Sequence, residues 1–181
     1  MVLFPNLAEF KMSCGKWLFQ YPNDILIETG SGLGGGIQYA LKYRFKEIHS
    51  IEINKTNYDY CVRLFENHKN VHLYCGDSID ILPKILSKIK TKVTFLLDAH
   101  VMSLKDLHGK KICPVLEELK IIIGHSKSLG IKHSLLIDDA KLFNGTVESF
   151  DNLKISDIAK VVSELDPSYV FMAGKKSISF V

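Results

Sequence analysis

Two groups of residues in this 181-residue sequence have the types and spacing to do chemistry. The first is the run Gly30-Ser31-Gly32-Leu33-Gly34-Gly35-Gly36, with five glycines in seven positions. So many glycines weaken a helix start, but they permit a tight turn and let a ligand come close to the backbone. Acidic residues accompany it: Glu28 just before, and Glu52 and Asp77 further along. The second group is Asp98-Ala99-His100 together with Asp138-Asp139. Carboxylates gathered at one point repel each other, and a divalent cation relieves the repulsion. All-oxygen ligands suit Mg2+, Ca2+ or Mn2+ better than a soft metal. His100 has an intrinsic pKa close to working pH, which suits a general base.

These residues need a scaffold, and the hydrophobic pattern supplies one. Short apolar runs at 25–29, 47–53, 71–75, 93–98 and 134–138 read as strands. Amphipathic stretches at 36–43, 55–67, 79–88, 114–127 and 156–165 read as helices, with Ser78 as the expected cap of the third and Pro114 in the first turn of the fourth. Runs at 169–172 and 177–181 read as a terminal hairpin. Alternating strands and helices predict an α/β fold with a mostly parallel sheet and helices on both faces. All the chemical residues fall at carboxyl ends of strands, where open α/β sheets bind ligands. If the fourth and fifth strands are neighbours, Asp98, His100, Asp138 and Asp139 converge.

In this frame a nucleoside-bearing cofactor would meet Gly30, Ser31, Gly32 and Gly34 on the turn. It would meet Glu52 and Ile53 after the second strand, and Gly76, Asp77 and Ser78 after the third. Glu52 would accept the ribose hydroxyls and Asp77 the exocyclic amine of adenine. The glycine spacing alone also satisfies an NAD fingerprint. Glu28 favours S-adenosylmethionine (SAM), because a carboxylate there repels a pyrophosphate and tolerates a cationic amino-acid end. Asp98 could also contact that amino group.

Formal net charge is +3, and charged residues make up 24%. This is far from the basic stripe of a dedicated nucleic-acid binder. The cysteines, Cys14, Cys61, Cys75 and Cys113, form no C-x-x-C pair and read as free thiols. No signal peptide and no membrane-length apolar run is expected, so the sequence predicts one soluble, cytoplasmic domain over 1–181. Residues 1–23 would form a packing or substrate-side segment carrying Trp17, Phe19 and Tyr21. A basic run (Lys105, His108, Lys110, Lys111) could meet an anionic substrate or simply be solvated.

The motifs Glu28-Thr29-Gly30, Ser50-Ile51-Glu52, Gly76-Asp77-Ser78, Leu97-Asp98-Ala99-His100 and Ile137-Asp138-Asp139 together resemble those of class I SAM-dependent methyltransferases. Pro114-Val115-Leu116-Glu117-Glu118-Leu119 is similar to a Pro-x-Leu-Glu-Glu-Leu stretch of that family. The resemblance spans roughly Leu26 to Phe143. It implies a Rossmann-like, seven-stranded sheet closed by a C-terminal antiparallel hairpin, and SAM as cofactor. The acidic cluster is similar to that of metal-dependent sugar O-methyltransferases of the macrolide and aminocoumarin tailoring type. Asp98, Asp138 and Asp139 match their metal ligands, with Mg2+ the implied ion. His100 stands at the base position, where that family commonly has Asp. Catechol methyltransferases are similar around magnesium, but their lysine base is not matched here. The implied activity is O-methylation of a hydroxyl on a sugar or other small molecule or glycan. Methylation of a catechol or small phenol, RNA methylation and an NAD-dependent reaction are the alternatives. No membrane partner is implied, nucleic acid is disfavoured, and a homodimer is compatible with the sequence.

Overall fold

The computed structural model describes residues 23–43, 45–101, 109–174 and 177–181. The chain runs β1 Ile25–Thr29, α1 Gly35–Lys42, β2 Glu47–Glu52, α2 Lys55–Leu64, β3 Val71–Cys75, α3 Ser78–Leu86 and β4 Val93–Leu97. It continues with α4 Val115–Leu129, β5 Ser134–Ile137, α5 Ile155–Leu165, β6 Phe171–Ala173 and β7 Ile178–Phe180. The seven strands form one sheet in the order β3-β2-β1-β4-β5-β7-β6. β1 to β5 are parallel, and β7 runs antiparallel to both β5 and β6. The strand order reverses between β1 and β4, and a crevice opens at such a switch point.

The central strands β1, β4 and β5 are buried on both faces, so they read as near-continuous apolar runs. Alternation still sorts their side chains. Leu26, Ile48, Leu96 and Leu136 pack with Ile37 and Ala40 of α1 and Cys61 of α2. Ile27, Phe95, Leu97, Leu135 and Ile137 pack with Leu82, Leu119, Ile122, Ile158 and Val162 of α3, α4 and α5. Each fully buried aliphatic side chain contributes roughly 1.5–3 kcal/mol by leaving water.

Helix ends follow local chemistry. The Asn54 side chain accepts the Thr56 and Asn57 N–H groups and starts α2. Asp77, not Ser78, caps α3 by accepting the Ile79 N–H; Ser78 is the first helical residue. Pro114 stands one residue ahead of α4, and Gly130 ends it at φ 64°, in the left-handed region glycine favours. The last hairpin is shorter than the apolar pattern suggests. Tyr169 is drawn into the core instead, its hydroxyl accepting the His133 N–H at 3.2 Å and meeting Ser126 Oγ at 3.2 Å.

Among the described residues no helix is long and apolar enough to cross a membrane, and Cys61, Cys75 and Cys113 are free thiols. Trp17, Phe19, Tyr21, Lys105 and His108 lie outside the described residues.

Candidate functional site

A cavity of about 300 Å³ opens at the carboxyl ends of β1 to β4. The glycine turn forms one wall. The Gly30 and Ser31 N–H groups both donate to the Ile51 carbonyl, at 2.9 and 3.2 Å, which ties the turn to the end of β2. Gly30 sits at φ +82°, and a Cβ there would lie 2.5 Å from the Asp98 carbonyl oxygen. The ends of β1 and β4 therefore touch backbone to backbone, and only glycine fits between them.

Beneath the turn runs a buried polar chain. Ser31 Oγ lies 2.6 Å from Ser50 Oγ, and Ser50 donates a short bond to Glu28. Glu28 is only 2% exposed and faces α1, where Gly36 leaves room for its carboxyl. Burial pushes its pKa up to about 8, against the pull of Ser50. At neutral pH it is a neutral acid under the floor. The expected electrostatic choice of SAM over a pyrophosphate is weakened accordingly. Glu28, Ser31 and Gly34 support the turn from outside the cavity wall, whereas Gly30 and Gly32 line it.

Glu52 and Ile53 line the neighbouring wall. Glu52 Oε2 accepts the Gly32 N–H at 2.8 Å and Oε1 accepts the Asn54 N–H at 2.7 Å. A carboxylate oxygen has more than one acceptor site, so Glu52 is fixed in place and can still receive ribose hydroxyls. Gly76, Asp77 and Ser78 continue the wall. Besides capping α3, Asp77 accepts the Lys110 N–H at 2.8 Å, and Lys110 Nζ meets Asp80 at 2.5 Å. Lys111 pairs with Glu117 at 3.7 Å. Both lysines of the basic run that are described have acidic neighbours, and Lys111 also lines the cavity. The segments leaving β4 and entering α4 are joined where the Val101 N–H donates to the Ile112 carbonyl at 3.1 Å.

At the rim between β4 and β5 the second group of residues comes together, because these strands are neighbours. His100 Nε2 lies 3.5 Å from Asp139 Oδ2 and 3.7 Å from Asp98 Oδ1. Its ring packs on Phe150 at 4.3 Å, and its Nδ1 faces the Val101 carbonyl at 3.4 Å. Asp139 holds a left-handed backbone (φ 54°) that Asp tolerates better than most residues, and its N–H donates to Asp138 Oδ1 at 2.8 Å. One ligand atom each from Asp98, His100 and Asp139 lie within 4.8 Å of one another, a possible cradle for a divalent ion. Asp138 stands outside that trio but close enough for its charge to act on Asp98. Burial, then Asp138, raises the pKa of Asp98, while His100 opposes the rise. Burial disfavours charging His100, but the hydrogen bond to Asp139 and the charge of Asp98 outweigh it and raise its pKa.

Sequence reasoning missed several residues of this region. Asn57, Ile112 and Pro114 line the cavity. Glu118 is 0% exposed, on the same helix stripe as Val115, Leu119 and Ile122. An acid on an apolar stripe was the signal available for it.

No protein-family model matches the sequence, and a search of the curated proteins finds no match. Solved structures resemble the fold. One is a candidate methyltransferase of Streptococcus mutans in complex with SAH, at TM-score 0.59 and 15% identity, covering 99% of this chain and 100% of that one. Another is Aeropyrum pernix fibrillarin with bound S-adenosyl-L-methionine, at TM-score 0.57 and 10% identity, covering 91% and 69%. A third is a candidate caffeoyl-CoA O-methyltransferase of Staphylococcus aureus, at TM-score 0.54 and 16% identity, covering 92% and 79%. The fold is the Rossmann-like fold of SAM-dependent methyltransferases.

Proposed function

We propose that this chain is a SAM-dependent methyltransferase acting on a hydroxyl of a sugar or sugar-containing metabolite, with a divalent cation at the rim of the site. The observation that carries the reading is the meeting of two sites. The trio Asp98, His100 and Asp139 stands beside a cavity walled by Gly30, Gly32, Glu52 and Asp77. Fold alone would not establish function.

In the transfer, the acceptor oxygen forms a bond to the methyl carbon as the sulfonium C–S bond breaks, giving S-adenosylhomocysteine (SAH). The hydroxyl proton must leave. His100 is the group poised to take it, with Asp139 and Asp98 stabilising the resulting imidazolium. The residues fit a cation such as Mg2+ or Mn2+, which would be held by Asp98 and Asp139 with His100 as the third ligand. A bound cation would orient the acceptor and lower its hydroxyl pKa. His100 Nε2 cannot be ligand and base at once.

One observation favours a rival. With Glu28 neutral and buried, a dinucleotide is repelled less than its sequence position suggests. An NAD-dependent reaction is therefore the second reading.

Purified protein should methylate at least one member of a glycoside and catechol panel, with turnover raised by Mg2+ or Mn2+. Asp139→Ala should abolish the metal-dependent part while SAH affinity stays within about threefold, ~0.7 kcal/mol. SAH binding without transfer to any acceptor, with or without metal, would sink the O-methylation reading.

A further inference from the structure

We propose that Glu47, His49 and His72 bind a divalent transition metal such as Zn2+ at the amino end of the β2–β3 pair. Glu47 and His49 stand two residues apart on β2 and so share one face of the sheet. His72 stands opposite His49 in the parallel register of β3. One carboxylate oxygen faces both rings: Glu47 Oε1 lies 3.4 Å from His72 Nε2 and 3.7 Å from His49 Nε2. In a tetrahedral site with bonds of ~2.0–2.1 Å, neighbouring ligand atoms lie about 3.3–3.4 Å apart. The two rings stack with centroids 4.9 Å apart, and a tilt of the half-exposed His72 ring toward His49 completes the set.

His49 Nε2 is the atom that calls for a ligand. The His49 side chain is only 9% exposed, and among the described residues Nε2 has no hydrogen-bond partner. At 3.7 Å the Glu47 carboxylate is too far to accept a hydrogen bond from it. Nor do the two form an ion pair at neutral pH: burial, against the pull of Glu47, lowers the His49 pKa to about 4 and leaves the ring uncharged. A buried nitrogen without a partner costs free energy, which a metal bound through its lone pair would recover. Tyr74 completes the arrangement from behind. Its hydroxyl meets His49 Nδ1 at 2.9 Å. With the proton on Nδ1 donated to that oxygen, Nε2 keeps its lone pair toward Glu47, as in ligating histidines held by an outer partner. Two imidazoles and one carboxylate suit Zn2+, Ni2+ or Cu2+ rather than Mg2+, with water in the remaining position. β3 is the edge strand, so the ion would tie the edge of the sheet to β2. The cofactor cavity lies at the opposite, carboxyl ends of these strands, so the site stands apart from the methyl-transfer reading.

Long-range proton–nitrogen NMR of the histidine rings, followed while ZnCl2 is added to the wild-type protein, reads the site directly. The Nε2 signals of His49 and His72 should move together and saturate as one site, while His49 Nδ1 keeps its proton. His72→Ala and Glu47→Gln change half-exposed side chains and should fold. Each should weaken this zinc binding about tenfold or more in calorimetry. Zinc should also raise the Tm of the wild type more than that of either variant. The wild-type spectra decide even if a variant fails to fold. Zinc that moves the His100 ring alone, or that is lost when the exposed Cys75 thiol is blocked, with His49 and His72 unmoved, would overturn the proposal. So would binding at His49 that is undiminished in either variant.

Discussion

Gly30→Ala separates a steric claim from a merely conformational one. The new methyl would sit 2.5 Å from the Asp98 carbonyl oxygen and 2.8 Å from its carbon, well short of the 3.4 Å at which ordinary contact begins. Both atoms are backbone, so no side chain can swing away. A positive φ costs an L-residue about 1–2 kcal/mol. Forcing a methyl into a filled space adds about 1–3 kcal/mol. The sum is roughly 2–5 kcal/mol, and at ~2–4 °C per kcal/mol for a chain of this size Tm falls by about 4–20 °C. Gly32→Ala provides the comparison. Gly32 also has a positive φ (+51°), but a Cβ there meets nothing within 4 Å. Only the conformational cost applies, about 1–2 kcal/mol, or a fall of roughly 2–8 °C. Thermal unfolding followed by circular dichroism reads both. Gly30→Ala should also weaken SAH binding, because it pushes apart the strand ends that carry the turn and Asp98. Equal losses of Tm in the two variants would refute the claim that β1 and β4 meet at Gly30.

Two further expectations concern pH. Glu28 is held protonated up to about pH 8, so the folded state binds an extra proton above the ordinary value of 4.5. Its contribution to stability is full below that value and is lost as pH rises through 8. Glu28→Gln should flatten the decline between pH 5 and 9 in urea titrations, and an unchanged slope would count against the buried neutral acid. His133 accepts the Val93 N–H at Nδ1 (3.2 Å) and so carries its proton on Nε2, 3.0 Å from His125 Nδ1; His125 Nε2 then donates to the Ile89 carbonyl at 3.1 Å. Burial, then His125, lowers the His133 pKa to about 4, so the stability its neutral form provides is present above pH 6.5 and lost as pH falls through 4. Wild type should therefore lead His133→Asn at pH 7 by more than it does at pH 5. A constant lead would show that His133 does not titrate with unfolding.

Much of the scaffold was legible in the sequence. Ile25–Thr29 and Val71–Cys75 have the bounds their apolar runs suggested. The cap of α3 was not, because Asp77 and Ser78 can both cap and only the backbone path decides between them. Nor does periodicity reveal that β4 lies beside β1 and β5, which is what brings Asp98 to Asp139. Glu28 shows the opposite case. It was read as facing a ligand, yet alternation along β1 puts it with Leu26 on the α1 side. Glu118 could have been read as buried from its stripe, since Val115, Leu119 and Ile122 share it. Lys110 and Lys111 look free in sequence because their partners, Asp80 and Glu117, are set by the return of the chain into α4.

The most direct test is calorimetry of the wild-type protein with SAH and with NAD under the same conditions. The account predicts saturable, one-site binding of SAH that Glu52→Ala weakens, and no heat from NAD beyond dilution. Tight NAD binding with no SAH signal would contradict it.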